Sequence, residues 1–289
     1  MYFSHDKKLG GTMEVRNIDV TRKGLKQMMN VIKSKKKILF FTFLSVILLF
    51  GCNNGKEQSV ADKLYKDLDA KETYEKAVEY FNENVTYVKY KQIAKDEVND
   101  SVIIVERFNE GGKYNQITSI YNDKYSSYNY EPGLFAEKEV LKNGKASLLL
   151  SSDGVFKALQ DINDKSYYES KQIPFFRVHY LRDGCKLLDI SKEENGDHIV
   201  IKMKLQFTTI QFTTIYQISE FIIDSNGLFI MQKYEPYTDS TFEKKWGDCS
   251  STVWYGDFNK KTTFDYEEER QKLKDLEGKD IEVIKDMFE

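Results

Sequence analysis

Between Gly111 and Gly227 a turn-forming pair recurs six times: Gly111-Gly112, Asn143-Gly144, Asp153-Gly154, Asp183-Gly184, Asn195-Gly196 and Asn226-Gly227. Both residues of such pairs tolerate positive φ, so they suit tight hairpins. The segments between them carry tyrosines and β-branched residues with a period of two, which predicts a long antiparallel meander. Its strands fall near 85–94, 101–109, 113–121, 134–141, 145–150, 175–182, 185–192, 198–207, 212–223, 228–235 and 251–258. In the clearest of them Ile199, Ile201, Met203, Leu205 and Phe207 face one way and Lys202 and Lys204 the other, the pattern of a sheet with one buried and one wet face.

Helical signals frame the meander. Asp69-Ala70-Lys71-Glu72 reads as a capping box, and Tyr74, Ala77, Val78 and Phe81 follow at helical spacing, so an amphipathic helix is expected over 70–82. A second is expected over Val155 to Ile162 and a charged third over Tyr266 to Leu276. The fold class is α+β. Gln206-Phe207-Thr208-Thr209-Ile210 is repeated unchanged as residues 211–215. Because side chains alternate faces, an odd insertion flips the apolar residues unless a turn or bulge absorbs it, and one is expected at 208–211.

The N-terminal part follows a different logic. Lys33, Lys35, Lys36 and Lys37 precede the apolar run Ile38 to Phe50, which ends at Gly51-Cys52. Basic, then apolar, then small is the order of an export signal. As a helix, thirteen residues span about 20 Å, short of the ~30 Å hydrocarbon core, so cleavage before Cys52 is favoured over a retained span. Leu49-Phe50-Gly51-Cys52 resembles the lipobox of bacterial lipoproteins, departing from it at the bulky Phe50. The resemblance implies diacylglyceryl transfer to Cys52 and a protein held on the extracytoplasmic face of the cell membrane. Residues 1–28 are then a mis-assigned start or an N-terminal extension, 29–51 the signal, 52–60 a lipidated tether and 61–289 a single β-rich domain.

Ten of the 43 basic and three of the 46 acidic residues lie before Cys52, so the remainder carries a net charge of −10. That balance argues against a nucleic-acid partner, which needs a basic stripe. Cys185 and Cys249 each follow a turn residue. Outside the cytoplasm they either bridge or remain buried thiols acting as small hydrophobes. No Cys-x-x-Cys spacing favours zinc or thiol redox chemistry. Past Cys52 only His179 and His198 remain as histidines; His179 reads as a satisfied core or edge residue and His198 as solvent-facing. With no His-Glu-x-x-His, Gly-x-Ser-x-Gly or Walker-type loop, neither an enzyme nor a metal or other cofactor is expected. Tyr121, Tyr125, Tyr128 and Tyr130, interleaved with Ser126, Ser127 and Asn129, are the one recognition-like cluster, since rigid amphipathic rings contribute contact at low entropy cost. The competing reading is an edge strand whose rings cover the sheet.

Two further segments carry a family likeness. Tyr216 to Leu228, with Asp224-Ser225-Asn226-Gly227 at its turn, and Thr252-Val253-Trp254-Tyr255-Gly256-Asp257-Phe258-Asn259 resemble the late strands of the lipoprotein-carrier (LolA-like) superfamily. The proline usual after the last strand is replaced by the charged stretch Glu267 to Arg270. The resemblance implies an antiparallel sheet curved into a half-barrel, with helices packed on its concave face, that accommodates an apolar or amphipathic, lipid-like ligand. The expected function is therefore a non-enzymatic, membrane-anchored binding protein. The alternative is a protein- or glycan-interaction module using the tyrosine cluster.

Overall fold

The computed structural model describes residues 58–95, 100–125, 133–208 and 214–288. Its centre is an open, curved antiparallel sheet that does not close into a barrel. Two meanders share it. β1 (Tyr87–Lys95), β2 (Asp100–Glu110), β3 (Lys113–Tyr125), β4 (Gly133–Lys142) and β5 (Lys145–Ser152) run outward in chain order, and two short strands, β6 (Val155–Phe156) and β7 (Gln160–Ile162), pair with β5. The chain then restarts at the opposite edge. β8 (Cys185–Asn195), β9 (His198–Thr208), β10 (Thr214–Ile223), β11 (Phe229–Tyr237) and β12 (Ser250–Gly256) run back until Lys89 to Lys95 of β1 meet Gly256 to Ser250 of β12.

This topology explains the two elements that the residue pattern misassigns. Residues 163–184 must carry the chain from one edge to the other across a sheet face, so 175–182 forms no strand and contains only a 3-10 turn at His179–Leu181. Side chains hold this crossover in place of a strand partner. The Arg107 guanidinium donates to the carbonyls of Lys171, Ile173 and Pro174, Gln172 bonds reciprocally with the backbone of Tyr114, and Asn82 does the same with Phe176. The helix expected over 155–162 is likewise absent. Asp153 and Gly154 both adopt positive φ, 54° and 73°, and fold Val155 and Phe156 back on β5, leaving only α3 (Lys165–Ser170) behind the cap Asp164.

The helices form where their caps predict. α1 (Val60–Tyr65) and α2 (Ala70–Asn84) each start on a capping box, Ser59 with Asp62 and Asp69 with Glu72. Such reciprocal bonds satisfy two of the orphan N–H groups at a helix start. α2 buries Tyr74, Ala77, Val78 and Phe81 against Ile201, Met203, Leu205, Phe221 and Phe229, which define the first face of the sheet. Phe81 is fully buried and contacts Phe175, Phe176, Phe229, Tyr255 and Phe258, a burial that stabilises by roughly 2–3 kcal/mol. On the opposite, second face α4 (Tyr266–Lys274) and a 3-10 segment (Ile281–Met287) cover the other half of the sheet, with Leu273, Ile281, Ile284 and Phe288 on Tyr121, Ala136, Val140 and Leu149. Among the described residues no helix is long and apolar enough to cross a membrane.

The five-residue repeat falls in a hairpin. Thr208 pairs with Thr214, so odd-numbered residues of both β9 and β10 share the first face; the turn or bulge expected at 208–211 lies, past Thr208, outside the described residues. Cys185 and Cys249 are not bonded to each other. Cys185 opens β8 and Cys249 directly precedes β12, strands that stand four places apart in the sheet order. The two stand as separate thiols, the second of the two readings, and burial pushes the Cys185 thiol up to about 11.

Candidate ligand-binding face

On β2 and β3 the first face is built by alternation. Ser101, Ile103, Val105 and Arg107 of β2 stand opposite Asn122, Ile120, Thr118 and Gln116 of β3. The apolar members continue the core. The polar ones do not fit it so simply: Ser101, Thr118 and Asn122 are 1%, 0% and 4% exposed, yet Ser101 Oγ, Thr118 Oγ1 and Asn122 Oδ1 have no hydrogen-bond partner. Arg107 Nε, on the same face, is also without one, although the rest of that guanidinium is engaged by the crossover and lies over the rings of Tyr114 and Phe175. An unpaired buried group of this kind costs about 1–3 kcal/mol, so four on one strand pair form an unusual concentration.

In the neighbouring part of the same face the polar side chains meet one another. Tyr255 Oη donates to Gln232 Oε1 at 2.8 Å, leaving Gln232 Nε2 to donate to His179 Nε2 at 3.2 Å, while Tyr234 Oη lies 3.4 Å from that same nitrogen. His179 Nε2 is thus an acceptor and its ring proton sits on Nδ1. The ring stacks on Tyr234 and meets Phe221 edge-on. Burial, aided by the nearby Arg182 charge, brings its pKa down to about 3, and burial raises Tyr234 well above its ordinary value. A histidine so held is neutral and structural, as its sequence context predicts. Glu139 is equally occupied. It is 1% exposed, accepts from Gln116 Nε2 at 3.0 Å and from Tyr167 Oη, and lies 3.7 Å from Lys171 Nζ, so it fastens α3 and the crossover to β4.

The sequence candidates distribute unevenly. Tyr121 belongs to the second-face core, 8% exposed with its ring 5.5 Å from that of Phe288, which removes it from any recognition surface; its register opposite Val102 turns it inward. Tyr125 pairs with Gly133 at the end of β3, and its side chain lies outside the described residues, as do Tyr128, Tyr130, Gly51 and Cys52. His198 is exposed on the second face. The unpaired Ser101, Thr118 and Asn122 escaped the sequence reading, although their signal was present: with Ile103 and Val105 inward, period two turns Ser101 inward too. Among the described residues no three His, Cys, Asp or Glu side chains converge as metal ligands. No protein-family model matches the chain, and no curated protein matches it.

Proposed function

We propose that the chain is a non-enzymatic, lipid-anchored extracytoplasmic protein that binds an apolar or amphipathic, lipid-like ligand on the first face of its sheet, over β2 and β3. The observation that carries this reading is the set of buried, unpaired Ser101, Thr118 and Asn122 atoms interleaved with Ile103, Val105 and Ile120. A ligand with an acyl or ring portion matches the apolar rows, and its hydroxyl, amide or ester groups supply the missing partners. The neutral, buried His179, its Nε2 engaged by Gln232, and the occupied Glu139 support a binding role over a catalytic one, since both are held in structural contacts away from a substrate. The anchor at Cys52 rests on the lipobox-like Leu49-Phe50-Gly51-Cys52.

Organic extraction of the protein purified from its producing cells, followed by mass spectrometry, tests the reading. A co-purifying lipid or amphiphile that is lost from the Ser101→Ala, Asn122→Ala double variant is the expected result. If neither protein releases or takes up any such molecule and only ordered water occupies the face, the binding role is wrong.

A further inference from the structure

Among the described residues no helix covers the second face of β8–β12 at one end, and what lies there is apolar. Val200 of β9, Ile222 of β10, Met231 of β11 and Trp254 of β12 are successive cross-strand neighbours, forming one row across four strands. Ile230, His198 and Asn195 complete a shallow groove of about 360 Å³ around it, and Trp254 is 43% exposed. The next row inward is of another kind: Lys202, Glu220, Lys233 and Thr252, with Lys202 and Glu220 paired at 3.4 Å. Further along, Phe242 covers the face by packing on Tyr216 and Tyr237. The row, with Trp254 exposed and Val200, Ile222 and Met231 half-buried, therefore forms a band at one rim of the sheet.

That rim is also where the tether arrives. The backbone N–H of Ala61, at the start of α1, donates to the carbonyl of Ser225 at 3.1 Å, and Ser225 sits in the turn joining the strands that carry Ile222 and Met231. Seven residue steps lead from Cys52 to Ser59, a reach of at most about 25 Å. Ile222 is three residues from Ser225, about 10 Å along an extended strand. A lipid on Cys52 thus cannot hold the domain far from the bilayer, and the rim nearest α1 is the one carrying the exposed Trp254 and the half-buried Met231, Ile222 and Val200. Tryptophan with aliphatic neighbours is the composition that partitions into the interfacial zone of a membrane.

We propose that the Val200–Ile222–Met231–Trp254 row is a membrane-docking surface that seats in the interfacial zone of the bilayer to which Cys52 is anchored. The proposal rests on the anchor reading but not on the ligand site, which lies on the opposite face. Because the flanking lysine and glutamate charges pair with each other, docking is driven by apolar side chains and is insensitive to salt.

The chain has two tryptophans, Trp254 in the row and Trp246 in the 238–249 connection at the other end of the strands, so one can be removed at a time. The full-length lipidated protein carrying Trp246→Phe is reconstituted into phosphatidylglycerol–phosphatidylethanolamine vesicles containing a brominated phosphatidylcholine. Trp254 emission should shift to the blue and be quenched by roughly half or more, as for a group about 5–10 Å into the headgroup and acyl boundary. In the reciprocal Trp254→Phe protein, Trp246 should be unaffected, and Ile230→Ser with Met231→Ser should abolish the Trp254 quenching while far-ultraviolet circular dichroism stays unchanged. Flotation with the vesicles without quenching overturns the docking surface alone. A blue shift that depends on protein concentration and ignores the bromolipid overturns it in favour of a second copy of the chain. Failure to float, with no fatty-acid label on Cys52, overturns the anchor and the proposal with it.

Discussion

His179→Gln should change how stability depends on pH more than it changes stability itself. In the folded protein burial holds the imidazole pKa at about 3, against 6.5 for an exposed histidine. The unfolded chain therefore binds a proton that the native state refuses throughout the window between those values, and stability must fall as pH falls from about 6.5 to about 3. Linkage gives a loss of about 2 kcal/mol at pH 5 and about 4 kcal/mol at pH 3 from this residue alone. Glutamine can still accept from Gln232 and Tyr234 but does not titrate, so the variant lacks that slope. Carboxylates also titrate in the window, and the difference between the two proteins cancels them. Urea unfolding at pH 8, 6 and 5 is the assay: the wild-type advantage over the variant should shrink by about 2 kcal/mol between pH 8 and pH 5. A difference constant to within about 0.5 kcal/mol would refute the reasoning, because it would mean that His179 takes up its proton as freely as an exposed histidine.

Thr118→Val removes an unpaired hydroxyl at constant shape, so stability should be unchanged or rise by about 1 kcal/mol, whereas a loss above about 1 kcal/mol in thermal unfolding would show that the hydroxyl has a partner in the free protein. Gly227→Ala should destabilise by about 2 kcal/mol, since φ there is +80° and an added Cβ would meet Tyr65 Oη at 3.2 Å and Leu64 Cδ1 and Tyr80 Cε1 at 3.3 Å; an unchanged melting temperature would contradict that geometry. Thiol titration of the unfolded lipidated chain should count two thiols, Cys185 and Cys249, and reductant should leave the melting temperature of the native protein unmoved; a drop of several degrees would reveal a bridge.

What the sequence makes legible is local. Most strand and helix periodicity, the Asp69 and Glu72 box and five of the six glycine turns, each decided by residues a few positions apart, stand in the structure, whereas Asp183-Gly184 joins the crossover to β8. Val155 to Ile162 and residues 175–182 are the counterexamples. Each has a plausible period, but the first is captured by pairing with β5 and the second by the need to cross the sheet, and both are consequences of which strands are neighbours. The choice between a bridge and two separate thiols at Cys185 and Cys249 was open in the sequence for the same reason, because it depends on β8 and β12 sitting four places apart. The candidate site was hidden differently: Ser101, Thr118 and Asn122 are ordinary residues in a strand, and only burial without partners distinguishes them.

The strand directions also give the proposed activities an orientation that can be tested. Connections 111–112, 143–144, 196–197 and 224–228 gather at one end of the sheet, where α1 begins and the Trp254 row lies; the strand ends Lys95, Asp100, Tyr125, Gly133, Thr208 and Thr214 and the connection 238–249 gather at the other. Ser101 and Asn122 sit one or a few residues from the second set, so the polar part of the proposed ligand site lies at the end away from the tether. Docked through Trp254, the domain would turn that end from its own membrane and receive ligand from a donor beyond it instead of extracting it from the anchoring bilayer. With a fluorescent phospholipid placed either in the vesicles that carry the anchored protein or in separate vesicles, loading should be at least as fast from the separate ones. Faster loading from the anchoring bilayer would require the ligand to enter from the tether end, and one of the two surfaces assigned here would have to be withdrawn.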